Sequence, residues 1–516
     1  MTQHAVSNDD FKTSPENAEA NLGERLLNTA DALLSLFGHA WGRTEALAQD
    51  AKRDSQAVAR EAAALYRSTL TRAGQVGLAV RSTPRFGRIV SVATVVAASY
   101  RIFGSRLQHL PEVVAKRELD ALHAANAERV ALMCAELGGG VLKVGQLLSA
   151  RMDLLPEPWI TALATLQDNA PPVSFDEIQL AIETELGPLG DRFAEFESTP
   201  MAAASLAQVH GAVLLDGTRV AVKVQRPGVS ELIGADIAAI NLVAQSIGNS
   251  VAGMDLVTTA AELGRSLTEE LDFGVEAVTL GEFEARWAND GRLIIPKPIM
   301  EHSTPTVLVM ERIDGERLTT WLDAASAAEQ ARMLSTLIDC FAAQILRDGE
   351  FHGDPHPGNF RVADGKLVML DFGCVGRIRD GGTAVWGELM AAALSRDAVR
   401  TAAGLRKLGF ETHGDAPALV EDARMVEFAD LFLEAFMEQV TLDLSEMDPM
   451  EQIQRGMALM QDNPIATIPG EFVLMARVLA TLGGLLFAYR PNINLMMLVV
   501  PHLQASPPKA RLEMTS

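Results

Sequence analysis

In the C-terminal third of the chain, Phe351-His-Gly-Asp-Pro-His-Pro-Gly-Asn-Phe360 is followed, eleven residues after Phe360, by Asp371-Phe-Gly373. These two segments restrict the folds open to the chain more than any bulk property does. In Mg²⁺-dependent phosphoryl transfer an Asp on a rigid loop orients the nucleophile, and an Asn five residues later helps hold a metal ion against the nucleotide phosphates. Asp354 and Asn359 have that spacing. Asp371 supplies a further carboxylate for Mg²⁺, a hard ion that commonly takes one or two carboxylates together with phosphate oxygens. A single Asp-x-x-x-x-Asn carries little information; the two motifs in order carry much more.

The chain has 516 residues, 48% of them hydrophobic, which exceeds one typical domain and gives ample material for a core. Cys134, Cys340 and Cys374 are odd in number, far apart and free of C-x-x-C spacing, so neither a disulfide framework nor a zinc site is expected. Cys374 reads as a small packing residue, with a reactive thiol as the alternative. A net charge of −23 and a pI near 4.9 argue against nucleic acid as a partner, because phosphate neutralisation needs a basic surface. Met1 to Asp10 lack the features of a secretory or transit signal, so a cytoplasmic protein is expected. No window reaches the roughly 18 to 20 uncharged apolar residues of a spanning helix. The run Leu495–Val500 is short, stops at Pro501 and reads as core.

Charge is unevenly distributed. No acidic residue occurs between Glu61 and Glu112, whereas Arg67, Arg72, Arg81, Arg85, Arg88, Arg101 and Arg106 all fall there. Ile89–Tyr100 is uncharged and rich in Val and Ala, so residues 81–106 have the pattern of a peripheral membrane or lipid contact. The alternative is a buried helix whose arginines pair with acidic groups of the same chain.

Residues 1–80 read as a flexible and helical N-terminal extension, and 81–175 as a helical segment. Ala115, Leu119, Leu122, Val130, Met133 and Leu137 recur at threes and fours, with Asn126 the polar slot, and Gly138-Gly-Gly140 stops that helix. Residues 176–315 turn β-rich: Gln208–Leu215 and Thr218–Gln225 flank Asp216-Gly217 as a hairpin, and Thr306–Met310 forms a further strand that runs into Glu311. Residues 316–505 are mostly helical apart from the two opening motifs, and 506–516 form a tail. A small β-rich lobe followed by a larger helical one is the protein-kinase order, an α+β fold.

Val220-Ala-Val-Lys223 matches the strand lysine that grips nucleotide phosphates as a point charge. Glu269-Glu-Leu-Asp-Phe-Gly-Val-Glu276 reads as an acidic helix, any of whose carboxylates could orient Lys223. Where a Gly-rich turn would bring backbone N–H groups to the phosphates, this chain has Ala202-Ala203-Ala204-Ser205, whose Cβ atoms resist positive φ and restrict close approach. With Lys223 and Glu311, these four are the candidate nucleotide-binding positions. An Ala-rich helical turn without ligand is the alternative for the loop.

The combination resembles the UbiB/aarF-domain family of atypical kinase-like proteins, on four matches: Lys143-Val-Gly-Gln146 as a Lys-x-Gly-Gln motif, Ala202–Ser205 as an Ala-rich loop, Glu270-Leu-Asp272 as a Glu-x-Asp motif, and His352–Asn359 as the catalytic loop. The resemblance runs over roughly residues 85 to 375 and reaches Tyr489-Arg-Pro491. It implies a protein-kinase-like two-lobed fold with an N-terminal helical extension in which Lys143 and Gln146 lie on one face of a helix folded over the cleft. Lys143 would there pair with Glu270 or Asp272 and occlude the groove for protein substrates. It implies Glu276 as partner of Lys223, Asp354 as catalytic residue, and Asn359 and Asp371 as metal ligands. His352 would brace the loop, and Gly353 stands where many members have Ala. ATP or ADP with Mg²⁺ are the implied cofactors, and lipid or quinone metabolism is the implied setting. Activity would be that of an ATPase or small-molecule phosphotransferase; a nucleotide-switched scaffold for partner proteins is the alternative.

Overall fold

The computed structural model describes residues 45–75, 84–107, 109–149, 155–166, 172–247, 256–379, 382–395, 397–412, 426, 465–467 and 470–503. Residues 1–44, Arg81 and the 506–516 tail lie outside them. The first half of the chain runs α1 (Glu45–Gln75), α2 (Pro84–Leu107), α3 (Glu112–Leu137), α4 (Gly139–Ser149), α5 (Glu157–Ala164), α6 (Phe175–Leu186), β1 (Phe193–Ala203), β2 (Ala207–Leu214), β3 (Arg219–Gln225), α7 (Val229–Ile247), α8 (Leu256–Glu270) and α9 (Phe273–Trp287). There are two compact units; residues up to Gln146 with 161–167 and 230–267 form the first, and the remainder the second.

The first unit is helical. Phe86, Ile89, Val90, Val92 and Val95 of α2 are buried with Met133 and Cys134 of α3 and Ala239, Leu242 and Val243 of α7. The arginines of α2 are engaged: Arg88 with Glu136, Arg101 with Glu61, and Arg106 with Asp54 and Glu118. For the described residues 84–106, these pairs are the ones the buried-helix alternative expects. Among the described residues α2 alone is long and apolar enough to cross a membrane, by length and composition, and half of its most apolar window is buried. The polar slot of α3 is satisfied inside: Asn126 is fully buried, donates to Ser99 Oγ at 2.8 Å and accepts from Arg129 at 2.6 Å.

Arg85 makes the firmest tie in this unit. Its Nε and Nη2 each lie 2.6 Å from a carboxylate oxygen of the buried Asp236, and its Nη1 donates to the carbonyl of Leu137, in the last turn of α3. Gly138, at φ +61, ends that helix. A Cβ on Gly139 would stand 3.0 Å from Arg85 Nη2, and one on Gly140 3.0 Å from Asp236 Oδ2. The Gly-Gly-Gly run therefore does more than stop a helix; it makes room for a buried ion pair.

The second unit opens with the antiparallel sheet β1-β2-β3-β5, where β5 is Val307–Glu311. Period-two alternation assigns its faces. Val220, Val222 and Val224 with Val307 and Val309 pack beside Ile178 and Ile182 of α6, whereas Leu308 packs against Phe273 and Ala277 of α9. Lys223, in register with Leu308, shares the α9 side. The expected hairpin is present: Leu214 N–H donates to Thr218 O at 2.9 Å across Asp216-Gly217, and Gly217 has φ +88.

The rest of this unit surrounds one large core. Its strands are β4 (Leu293–Ile294), β6 (Glu316–Arg317), β7 (Glu350–His352), β8 (Phe360–Ala363), β9 (Lys366–Met369) and β10 (Val375–Arg377), and its helices begin with α10 (Leu318–Ala324) and α11 (Ala327–Ala342). After α12 (Gly382–Leu394), α13 (Ala398–Lys407), β11 (Glu411–Thr412) and β12 (Ile465–Thr467) come α14 (Gly470–Tyr489) and α15 (Leu495–Leu503). Helix α15 runs through Pro501 to Leu503, and Met497 is exposed, so the 495–500 run is only partly core. Strands β8 and β9 form a two-residue hairpin on Asp364-Gly365, both at positive φ, and β7 pairs with β10. These pairings bring the 353–359 and 371–374 loops together.

Candidate active site

Both loops are fixed at their ends by backbone. Gly353 N–H donates to Cys374 O at 2.8 Å, and Leu370 N–H donates to Asn359 O at 2.8 Å. His352 is fully buried; its Nε2 faces Leu370 O at 3.0 Å while Nδ1 accepts from Asp354 N–H at 3.2 Å. That pairing fits a neutral ring protonated on Nε2, and burial holds its pKa below the ordinary histidine value. His352 thus braces both loops. A six-residue π-helical turn, Ala343–Asp348, precedes β7 and lets the buried Gln344 accept from His352 N–H at 2.9 Å. Sequence periodicity gave no sign of Gln344, because its role depends on that local change of helical pitch.

Lys223 reaches off the α9 face of the sheet to Glu276 of α9, with Nζ 2.9 and 2.8 Å from the two carboxylate oxygens. Asp371 Oδ2 lies 3.4 Å from the same Nζ. Burial would lower the lysine's pKa, but Asp371 and then Glu276 outweigh it and raise it, so the ammonium stays charged. Burial raises the pKa of Glu276, opposed by Lys223. The segment 269–276 is not one helix, however. Helix α8 ends at Glu270, and Asp272 caps α9, accepting from Gly274 N–H at 2.9 Å and Val275 N–H at 3.4 Å. An Asx cap competes with helix continuation at that point, which is why the run breaks.

Asp371 adopts φ +57, unusual for a residue with a Cβ, and accepts from Gly373 N–H at 3.2 Å. Short polar side chains tolerate that region through such local bonds, and backbone strain of this kind gathers at functional sites. Phe372 is wedged between Phe283 of α9 and His352, with ring centroids 4.9 and 5.1 Å away. Asn359 Nδ2 donates to Asp354 O at 3.0 Å and faces Asp354 Oδ2 at 3.4 Å. Lys223, Glu276 and Asp371 are therefore brought together, as are Asp354 and Asn359.

Ala202–Ser205 do not form a helical turn. They make the tip of the β1–β2 hairpin, closed by Ala204 N–H to Ala207 O at 2.9 Å, and none of the four has positive φ. The turn requires no glycine. Glu311 stands opposite Val220, on the sheet face away from Lys223, and is exposed; a nucleotide contact there would come through its backbone. In the first unit Gln146 Nε2 donates to Leu166 O at 3.3 Å, and Lys143 is half-buried.

One further residue, Arg477, had no sequence signal. Arg477 of α14 donates to Gly353 O at 2.9 Å and lies 3.4 Å from Asp354 Oδ1. A Cβ on Gly353 would come within 2.7 Å of Cys374 Sγ, so Gly at this position accompanies Cys374. Burial pushes the Cys374 thiol up to about 11, in keeping with a packing role.

The model of the ABC1 atypical kinase-like domain matches residues 165–404. An uncharacterized protein of Synechocystis sp. is 35% identical over 68% of this chain and 87% of its own length. The probable protein kinase UbiB of Marinobacter nauticus is 30% identical over 74% of this chain and 70% of its own length. Among solved structures, Rv3197 of Mycobacterium tuberculosis in complex with erythromycin superposes with a TM-score of 0.53 at 27% identity, covering 75% of this chain and 96% of that one. With a kinase-like fold and relatives of this identity over most of their length, the chain belongs to the ABC1/UbiB family of atypical kinase-like proteins.

Proposed function

We propose that the protein binds ATP or ADP with Mg²⁺ beside Lys223 and acts as a Mg-dependent ATPase or as a phosphotransferase toward a small, lipid-related molecule. The observation that carries this reading is the Lys223–Glu276 pair, a buried ammonium held 3.4 Å from the carboxylate of Asp371. The residues present fit the metal and the nucleotide. Asp371 is about half exposed, and Asn359, with its amide nitrogen turned to Asp354, keeps its oxygen as the kind of hard donor Mg²⁺ takes. Bound there, the metal would neutralise charge on the phosphate oxygens and the nucleotide would supply the phosphoryl group. Lys223 would hold phosphate oxygens as a fixed point charge, and Glu276 would keep it aimed. Asp354 would orient the attacking hydroxyl or water.

The test is phosphate release from Mg-ATP by purified protein, with and without liposomes, beside Asp371→Asn. Turnover in wild type and its loss in the variant by at least 100-fold is the expected result. Nucleotide binding with no phosphate release under any lipid condition would instead favour a nucleotide-switched scaffold. One observation supports that second reading: Ala202–Ser205 put Cβ atoms at the hairpin tip, where glycine would let backbone N–H groups approach phosphates.

Occlusion of the protein-substrate groove by the Lys143–Gln146 segment, with Glu270 or Asp272 as partner of Lys143, belongs to the same proposal and rests on the family resemblance. Lys143→Ala should raise autophosphorylation several-fold, measured with labelled ATP; an unchanged rate removes that role. A lipid contact through residues 81–106 is tested by liposome flotation of Arg88→Glu with Arg101→Glu, because Arg85 is tied to Asp236. Binding equal to wild type would sink it.

A further inference from the structure

We propose that Arg477 is a positioning residue that fixes the Asp354 carboxylate and thereby couples α14 to the candidate active site, an inference that rests on the phosphoryl-transfer reading above.

Three observations converge on it. First, the two oxygens of Asp354 have different partners: Oδ2 faces Asn359 Nδ2 at 3.4 Å, and Oδ1 faces Arg477 Nη2 at 3.4 Å. The carboxylate, about half exposed, thus has a partner on each side. Asn359 is the candidate metal ligand of the two, so Arg477 is the partner available for orientation alone. Second, the same Nη2 donates to Gly353 O at 2.9 Å, while Gly353 N–H donates to Cys374 O at 2.8 Å. One residue of the loop thus joins the Asp371–Cys374 segment on one side to α14 on the other. Leu474, one turn before Arg477, closes the space over Gly353; a Cβ there would lie 3.1 Å from Leu474 Cδ2. Third, α14 is a rigid platform. Phe472, Met475, Val478, Leu482, Leu485 and Leu486 are all buried in the main core.

Electrostatics give the placement its meaning. Asp354, Asp371, Glu276 and Glu270 put several carboxylates near one site, and Lys223 is engaged with Glu276 and Asp371. Arg477 is a cation that faces Asp354. Its guanidinium is always charged and offers several donors in a fixed plane, so it can serve a carbonyl and a carboxylate at once. Misplacement of a reacting group by about 1 Å can lower a rate roughly 100-fold. Loss of the clamp should therefore act on the rate of the step that Asp354 orients and leave nucleotide binding at Lys223 in place.

The experiment compares wild type, Arg477→Met and Arg477→Lys in the full-length protein. Nucleotide affinity is read by titration with Mg-ATP, kcat and KM by phosphate release, and loop mobility by hydrogen exchange of the 351–360 segment. Arg477→Met is expected to lower kcat about 10- to 100-fold, with nucleotide affinity within two-fold of wild type. Exchange of the 351–360 segment should be faster, while exchange in β2 and β3 is unchanged. Arg477→Lys, which keeps a cation within reach but not the planar fork, should recover at least half, but not all, of the lost kcat on a logarithmic scale. A folded Arg477→Met with wild-type kcat overturns the proposal, as does a Lys variant no better than Met. If Arg477→Met does not fold, the Lys variant decides: kcat below wild type with unchanged affinity supports the clamp, and wild-type kcat with wild-type exchange overturns it. If wild type binds nucleotide without turnover, the enzymatic reading fails separately. Exchange then decides the clamp, because protection of 351–360 that is unaltered in Arg477→Met overturns it.

Discussion

At the scale of single residues the fold holds several groups away from their ordinary protonation equilibria. Burial lowers the pKa of His352, His210 and His123 below the ordinary value of 6.5, so the folded chain resists taking up protons that the unfolded chain accepts. The sign follows from linkage: this stability is fully present above the unfolded histidine pKa and is lost as pH falls through it, at about 1.4 kcal/mol per pH unit for each proton. Glu276 runs the other way, since its raised pKa favours the folded state on acidification. Urea unfolding should give a free energy that is level above about pH 7 and declines toward pH 5.5; a level curve across that range would contradict the burial argument. Asp354, Asn359, Asp371 and Lys223 were legible as candidates because chemistry fixes their types and spacing. Arg477 and Gln344 were not, because an arginine 124 residues from its partner and a glutamine on a π-turn have no local pattern to announce them.

Among the elements, the buried Arg85–Asp236 pair joins α2 to α7 and terminates α3 through the Leu137 carbonyl. Removing one partner of such a pair leaves the other charge uncompensated, which costs about 3 to 5 kcal/mol. Arg85→Ala should therefore lower the stability of the first unit by about 3 kcal/mol, read by chemical denaturation, whereas Arg101→Ala, whose pair with Glu61 is at the surface, should cost less than about 1 kcal/mol. Equal effects would refute the ranking. The helices and the Asp216-Gly217 hairpin followed from periodicity and turn chemistry. The break between α8 and α9 did not, because Glu269 to Glu276 is compatible with one helix until Asp272 turns its carboxylate to the N–H groups of Gly274 and Val275.

For the whole molecule, binding at the candidate site makes a thermodynamic prediction. The candidate nucleotide site lies wholly in the second unit. Mg-ATP at 100 times its dissociation constant should stabilise that unit by about 2.7 kcal/mol. Calorimetry should show Mg-ATP raising the thermal transition of the protein, and Asp371→Asn should remove that rise. A rise unaltered in Asp371→Asn would count against the candidate site. The sequence by itself determined the kinase-like fold, the order of its β-rich and helical parts and the residue types of the site, because phosphoryl transfer demands particular groups at short spacings and because periodicity is a local property. Glu276, which the family resemblance implied as the partner of Lys223, stands there; only the tertiary structure decided that α2 packs inside a helical unit with its arginines paired, that the Ala-rich tip needs no positive φ, and that Arg477 meets Asp354. Each of these turns on which face or register position packing selects among locally equivalent ones, and such contacts join residues too far apart in the chain for any local pattern to specify.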